Sequence, residues 1–240
     1  MRKASLILCF VSITCMLSAQ QIHFQQEEEK LRRGYIGISL GASIPTGQFA
    51  STEYYADYSG YASTALSLQL INFGYTFGTN IGIAGMWTGN TFKVNGDAML
   101  HDLGAGSISI ESDPWSFGAL MAGLLISLPA DKFNVDFRAM IGYAYTTAPE
   151  ISISGFVDGS PYVLTQKSAS SDAVAGDFGI GLRFHLSKLI CLNLLFDYIA
   201  CKPAFTSMLY SGEAGIYKAI QFEQPMNHFT ITGGIGFKLK

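Results

Sequence analysis

Charge is scarce in this chain. Only 14% of its 240 residues are Asp, Glu, Lys or Arg, against roughly 25% in ordinary soluble domains. Basic residues do not exceed acidic ones, with 15 Lys and Arg facing 18 Asp and Glu. That balance excludes the basic surface a nucleic-acid partner requires. Cysteine is also sparse, and of the four present, Cys9 and Cys15 fall within the first twenty positions. Cys191 and Cys201 sit ten apart on one strand-like segment. Extended chain separates them by about 33 Å, which excludes a disulfide between them. Long apolar runs are missing beyond the N-terminus. The nearest, Trp115 to Leu128, stops after fourteen residues at Pro129, short of the ~20 that a spanning helix needs.

What is abundant points elsewhere. Apolar residues reach 49%, aromatics 13%, and there are 26 glycines. The first twenty residues read MRKASLILCFVSITCMLSAQ. Arg2 and Lys3 form a positive start, Leu6 to Leu17 an apolar stretch, and Leu17-Ser18-Ala19 a small-residue cleavage site, so residues 1–19 read as a signal peptide. Cleavage after Ala19 takes two basic residues and no acidic ones, which moves the formal net charge from −3 to −5. Residues 20–33, QQIHFQQEEEKLRR, form a polar periplasmic leader. Its Glu28–Arg32 and Glu29–Arg33 pairs have the i,i+4 spacing of a short helix.

From Gly34 onward the dominant signal is a period of two, the mark of a strand with two unlike faces. Eight segments carry it. Gly34–Ser43 sets Ile36, Ile38 and Leu40 against Tyr35, Gly37, Ser39 and Gly41. Ser63–Phe73 sets Leu66, Leu68 and Leu70 against Ser67 and Gln69. Asn80–Thr88 carries Ile81, Ile83 and Trp87 on one face. Trp115–Leu128 is apolar on both faces. Phe133–Tyr145 opposes Phe133, Val135, Phe137 and Ile141 to Asn134, Asp136, Arg138 and Gly142. Ala173–Leu186 opposes Val174, Phe178, Ile180 and Phe184 to Asp177, Gly179, Gly181 and Arg183. Leu189–Ala200 opposes Leu192, Leu194 and Phe196 to Cys191, Asn193 and Asp197. His228–Lys240 opposes Phe229, Ile231, Ile235 and Phe237 to Thr230, Thr232, Gly234 and Gly236.

The connections alternate in length. Gly74–Thr79, Pro129–Lys132 and Ser187–Lys188 are tight, whereas Ile44–Ala62, Gly89–Pro114, Thr146–Asp172 and Cys201–Asn227 are long. Short turns on one rim and long loops on the other are the habit of a transmembrane barrel. Parity by itself does not separate such a barrel from a soluble one, because either face could be the core. Low charge, loop alternation and the signal peptide favour the membrane. The fold expected is all-β: an eight-stranded antiparallel up-and-down transmembrane β-barrel spanning residues 34–240, closed by pairing Gly34–Ser43 with the last strand.

With that patterning, a signal ending LSAQ and a closing GGIGFKLK, residues 34–240 resemble the small outer-membrane barrels of the OmpA/OmpX/OmpW type, and the outer-membrane barrel proteins of Bacteroidota in particular. The resemblance implies a monomer in the cell outer membrane, in contact with lipid and lipopolysaccharide. It also implies a non-enzymatic structural or surface-interaction role. A narrow OmpW-like barrel passing a small or hydrophobic solute, or a lipid-modifying hydrolase, are the alternatives within the class. Many such barrels end in an aromatic residue, whereas this chain ends in Leu239-Lys240.

The residues themselves offer two candidate sites. Asp136, Arg138, Asp177, Arg183 and Asp197 share the glycine-rich face and would form a lumen charge cluster. The hairpin between the sixth and seventh segments is expected to set Asp177 opposite Asp197. Facing carboxylates share a proton, recruit a cation, or are neutralised by nearby arginines in a packed polar lumen. Tyr54, Tyr55, Tyr58 and Tyr61 in the first long connection would contact a surface protein or glycan, or form an aromatic girdle. A hydrolase needs a base at the outer rim, for which His101 and His228 are the only options. Asp97, His101 and Asp102 lack a further well-spaced metal ligand. No catalytic residue, metal site or cofactor is expected.

Overall fold

The computed structural model describes residues 33–53, 59–103, 108–157, 160–211 and 215–239. The expected signal peptide, the expected leader up to Arg32, Lys240, and Tyr54, Tyr55 and Tyr58 lie outside the described residues. The described residues form thirteen strands and one α-helix: β1 (Gly34–Pro45), β2 (Ala65–Thr76), β3 (Ile81–Phe92), α1 (Gly96–Leu103), β4 (Ser109–Ser112), β5 (Trp115–Pro129), β6 (Phe133–Ala148), β7 (Ile151–Val157), β8 (Ser160–Gln166), β9 (Ala169–His185), β10 (Ile190–Cys201), β11 (Ala204–Ser211), β12 (Ile216–Glu223) and β13 (His228–Leu239).

Eight of the strands close a barrel in the order β1, β13, β10, β9, β6, β5, β3, β2, every neighbour antiparallel. These are the eight read from alternation. The seam is the expected one, with Gly34 opposite Leu239 and Pro45 opposite His228. Closure leaves the barrel no unpaired edge.

The two faces of the barrel wall are inverted relative to a soluble protein. Ile38, Leu66, Leu120, Ile141, Val174 and Phe178 point outward, Phe178 being 71% exposed. Ile36, Leu40, Ile231, Ile235 and Phe237 continue this band across the seam. Inward lie Asp136, Arg138, Asp177, Arg183 and Asp197, each at most 6% exposed. The parity left open by the sequence is thereby resolved: charges are core and large apolar side chains are surface. In β2 the inward set changes parity, because a bulge between Gln69 and Ile71 leaves Leu70 and Ile71 both outward.

The long connections are not plain loops. Residues from three of them form a second sheet in the order β12, β11, β8, β7, β4. The chain enters it from β6, of 16 residues, through Pro149 and Glu150, and leaves it for β9, of 17 residues, through Lys167 and Ser168. The first connection folds on itself. Gly47–Phe49 makes one 3-10 turn, and Gly60 and Ala62 donate backbone hydrogen bonds to Gln48 and Phe49 at 2.9 and 3.0 Å.

Candidate functional site

The lumen is built in layers. In the half nearer the short turns, the polar side chains form a connected network. Arg138 pairs with Asp197, both side chains fully buried. Arg138 also donates to Asn72 Oδ1 at 3.2 Å. Asn72 donates to Gln69 Oε1 at 3.0 Å, and Gln69 donates to Asp197 Oδ2 at 3.1 Å, completing a ring around the guanidinium. One strand further round, Arg183 donates to Asp136 and to Ser127 Oγ, each at 3.1 Å. The ring of Tyr35 lies 4.3 Å from the Arg183 guanidinium carbon, a cation–π contact. Charges removed from water must be paired and hydrogen-bonded to be tolerated, and four of the five predicted lumen charges are paired in this way. Gly179 makes the central pair sterically feasible. A Cβ there would stand 2.0 Å from Asp197 Oδ1 and 3.3 Å from Arg138 Nε.

Asp177 behaves differently, and the expected pairing with Asp197 is corrected. Asp177 lies opposite Ile199, and Asp197 opposite Gly179. The hairpin closes with Leu186 and Ser187 both donating to the carbonyl of Ile190, which sets His185 opposite Cys191 and moves the register by two. A slip of two keeps every side chain on its face, so Asp177 remains inward. It is fully buried, and neither carboxylate oxygen has a hydrogen-bond partner among the described residues.

The half nearer the long loops holds most of the buried aromatic side chains. Met86, Met121 and Met140 join the buried apolar cluster at mid-barrel, Met86 paired in register with Asn72 and Met140 with Asp177. Above them Phe49 packs edge-on against Phe92 at 4.9 Å and Trp115 at 5.7 Å, and Trp115 meets Phe205 at 5.9 Å. His228, a rim candidate in the sequence, is buried between Phe92 and Phe117, with centroids at 5.2 and 4.9 Å. It is removed from solvent and unsuited to serve as a surface base. His101 sits in α1 and is exposed. No group of three metal-ligating side chains occurs among the described residues. Cys191 and Cys201 are both buried and free.

Beyond the aromatic plug, the second sheet, α1 and the first connection enclose a cleft of about 960 Å³. Trp115, Phe205 and Phe222 supply aromatic surface, and Ser59, Gln166, Gln221 and Glu223 supply polar groups. Phe205 and Phe222 stack at 5.3 Å. The Trp115 indole donates to the Gly60 carbonyl at 2.9 Å. Tyr61 belongs to this cleft and is only 6% exposed, so the exposed contact or girdle position expected for it is corrected. Its φ of 48° places it in the left-handed region, held there by a bond from its N–H to Ser51 O at 3.0 Å and one to its carbonyl from Asn95 at 2.7 Å. Salt bridges brace the walls. Lys167 meets Glu150 at 2.8 Å, and Lys202 meets Glu223. The hydrogen bond from Lys167 to the Glu150 carboxylate raises the lysine's pKa above its usual value. No motif in the sequence signals this cleft, because its walls come from four separate connections and only pairing of their strands assembles it.

No protein-family model matches the chain, and no curated protein matches it. Solved structures do. A major outer membrane protein from Thermus thermophilus is 14% identical, with a TM-score of 0.49 over 85% of this chain and 98% of that one. Neisserial surface protein A is 10% identical, with a TM-score of 0.45 over 86% and 97%. Ail, the attachment invasion locus protein of Yersinia pestis, is 14% identical, with a TM-score of 0.42 over 85% and 98%. Such likeness concerns fold alone. The chain's own strand pairing makes it a closed eight-stranded antiparallel barrel, the architecture of the small outer-membrane β-barrels.

Proposed function

We propose that this protein is a non-enzymatic outer-membrane barrel that meets an external ligand through its long-loop end. The observation carrying this reading is the cleft of about 960 Å³, walled by the ordered second sheet and set above a blocked lumen. Membrane residence is supported by the outward apolar band, because a closed barrel is the way a β-chain satisfies its backbone in hydrocarbon. The plug of Phe49, Phe92, Trp115 and Phe117 weighs against a solute path. Burial of His228 weighs against a rim hydrolase.

Two experiments test the reading. Heat-modifiable gel migration and detergent-dependent β-rich circular dichroism are expected, and a stable detergent-free monomer would refute membrane residence. For the role, cells displaying the protein are applied to glycan and matrix-protein arrays beside cells carrying a Phe222→Ala, Gln221→Ala variant. Selective binding that weakens at least tenfold in the variant supports the cleft. Equal binding by both, or solute flux in liposomes without any binding, overturns it.

A further inference from the structure

The buried charges of the barrel do not balance. Among the described residues the buried ionisable acids and bases of the lumen are Asp136, Asp177 and Asp197 against Arg138 and Arg183, a surplus of one negative charge. His228 does not offset it. Its Nδ1 lies 3.2 Å from the Met226 carbonyl, which can only accept, so Nδ1 carries the hydrogen. Its Nε2 has no partner among the described residues, and a charged imidazolium would leave that second N–H buried without an acceptor. Lys238 lies at the short-turn rim, bonded to the Ser187 carbonyl at 2.8 Å.

The surplus is localised on Asp177, and the layer around it is rich in unused oxygens. Asp197 reaches across the lumen to Gln69 on β2. Asp177 is the next inward carboxylate toward the long-loop end, opposite Ile199. Ser67 is the next inward residue from Gln69 in the same direction. In the ring of strands, β9 and β2 stand four places apart either way round, which is diametrically opposite. Asp177 and Ser67 therefore face each other across one layer. Ser67 is paired in register with Asn90 on β3 and Gly41 on β1, and Gly41 with Thr232 on β13. The Ser67 and Thr232 hydroxyls and both amide atoms of Asn90 are buried without hydrogen-bond partners among the described residues, as are both oxygens of Asp177.

We propose that this layer binds one monovalent metal cation between the Asp177 carboxylate and the oxygens of Ser67 and Asn90. A buried carboxylate without its own ion pair is strongly disfavoured unless a cation accompanies it or a proton neutralises it. One unit of charge restores neutrality, whereas a divalent ion would leave the lumen positive. The donor set is all oxygen, which suits hard cations and not the soft or borderline metals that seek thiolate or imidazole. The Arg138–Asp197 layer closes the site toward the short turns, Met140 lies beside Asp177 in register, and the aromatic plug lies toward the long loops. The ion would thus be a structural counter-ion.

The test uses the mature chain refolded in detergent. Its melting midpoint is followed in sodium or potassium chloride against N-methylglucamine chloride at equal ionic strength, at neutral and at acidic pH. Wild type should gain roughly 5 °C over two decades of sodium or potassium above the binding constant, the size one-site linkage gives for a chain of this length. Asp177→Asn should show no dependence on the cation. Broadening of the sodium-23 resonance by wild type, lost in Asp177→Asn, would place the ion at this residue. If Asp177→Asn does not fold, Asn90→Ala serves instead, with a response at least threefold weaker. Stabilisation of wild type by falling pH, indifferent to the cation, would show that Asp177 holds a proton and would overturn the proposal. Indifference to both would leave only water in the layer and overturn it equally.

Discussion

The sharpest consequence of the lumen geometry concerns Arg138. Replacing it with Met keeps much of its volume and removes its charge. Asp197 then loses its ion pair, Asn72 loses the 3.2 Å bond from the guanidinium, and the buried surplus grows from one negative charge to two. Removing one partner of a buried pair costs about 3–5 kcal/mol, because the survivor is left charged in a medium that solvates it poorly. Gln69 and Thr230 still donate to Asp197 at 3.1 and 3.4 Å, so the loss should lie near the lower end, about 3 kcal/mol. At roughly 2–4 °C per kcal/mol for a chain of this length, the melting midpoint should fall by about 6–12 °C. Refolding in detergent across a urea series, read by heat-modifiable migration, measures the free-energy loss, and a thermal scan of the same samples measures the midpoint. The double variant Arg138→Met, Asp197→Leu removes the pair together, and it should recover to within about 1 kcal/mol of wild type. A single variant as stable as wild type would refute the reasoning. So would a double variant no better than the single one.

Three further outcomes follow from the same layers. Gly179→Ala should destabilise the barrel by about 1–3 kcal/mol, because the new methyl stands 2.0 Å from Asp197 Oδ1; an unchanged urea midpoint would mean the pair can shift freely. Wild-type protein in planar bilayers should carry no steady current, and Phe117→Ala should remain closed because the Arg138–Asp197 layer still blocks the bore; a sustained open state in either contradicts the layered filling. Cys191 and Cys201 should resist maleimide until the protein is denatured, and gel mobility should not depend on reductant, since both thiols are buried and unpaired; labelling of the folded protein would disprove the inward placement.

Much of the barrel was legible because its wall obeys one simple rule, a change of face at every residue. Where that rule weakened, the structure supplies the reason. Trp115–Leu128 reads as apolar on both sides because β5 turns Trp115, Phe117, Ala119 and Met121 inward, and Leu125 with them beside Arg138. Its inward face could not look polar. The Asp177–Asp197 register failed because pairing depends on which carbonyl closes the turn, and Ser187-Lys188 does not reveal that Ile190 accepts both bonds. The membrane side of the wall was legible from loop lengths and low charge, not from parity. The second sheet was not, since strands such as β4, with four residues, are too short to show a period. Tyr61 illustrates the same limit. Its composition suggests an exposed ring, yet its position is set by backbone bonds to Ser51 and Asn95.

The seam between β1 and β13 also dictates timing. It joins the first described strand to the last, with Gly34 opposite Leu239, so the contact that completes the barrel is among the most distant in the chain. Contacts of that span form slowly. Before the final strand arrives, β1 and β10 each present an unpaired edge, and Phe178, Ile141 and their neighbours have no hydrocarbon to meet. Exposed edges with apolar faces are a template for aggregation. A version lacking the last dozen residues should therefore keep both edges open and aggregate, never closing as a smaller barrel.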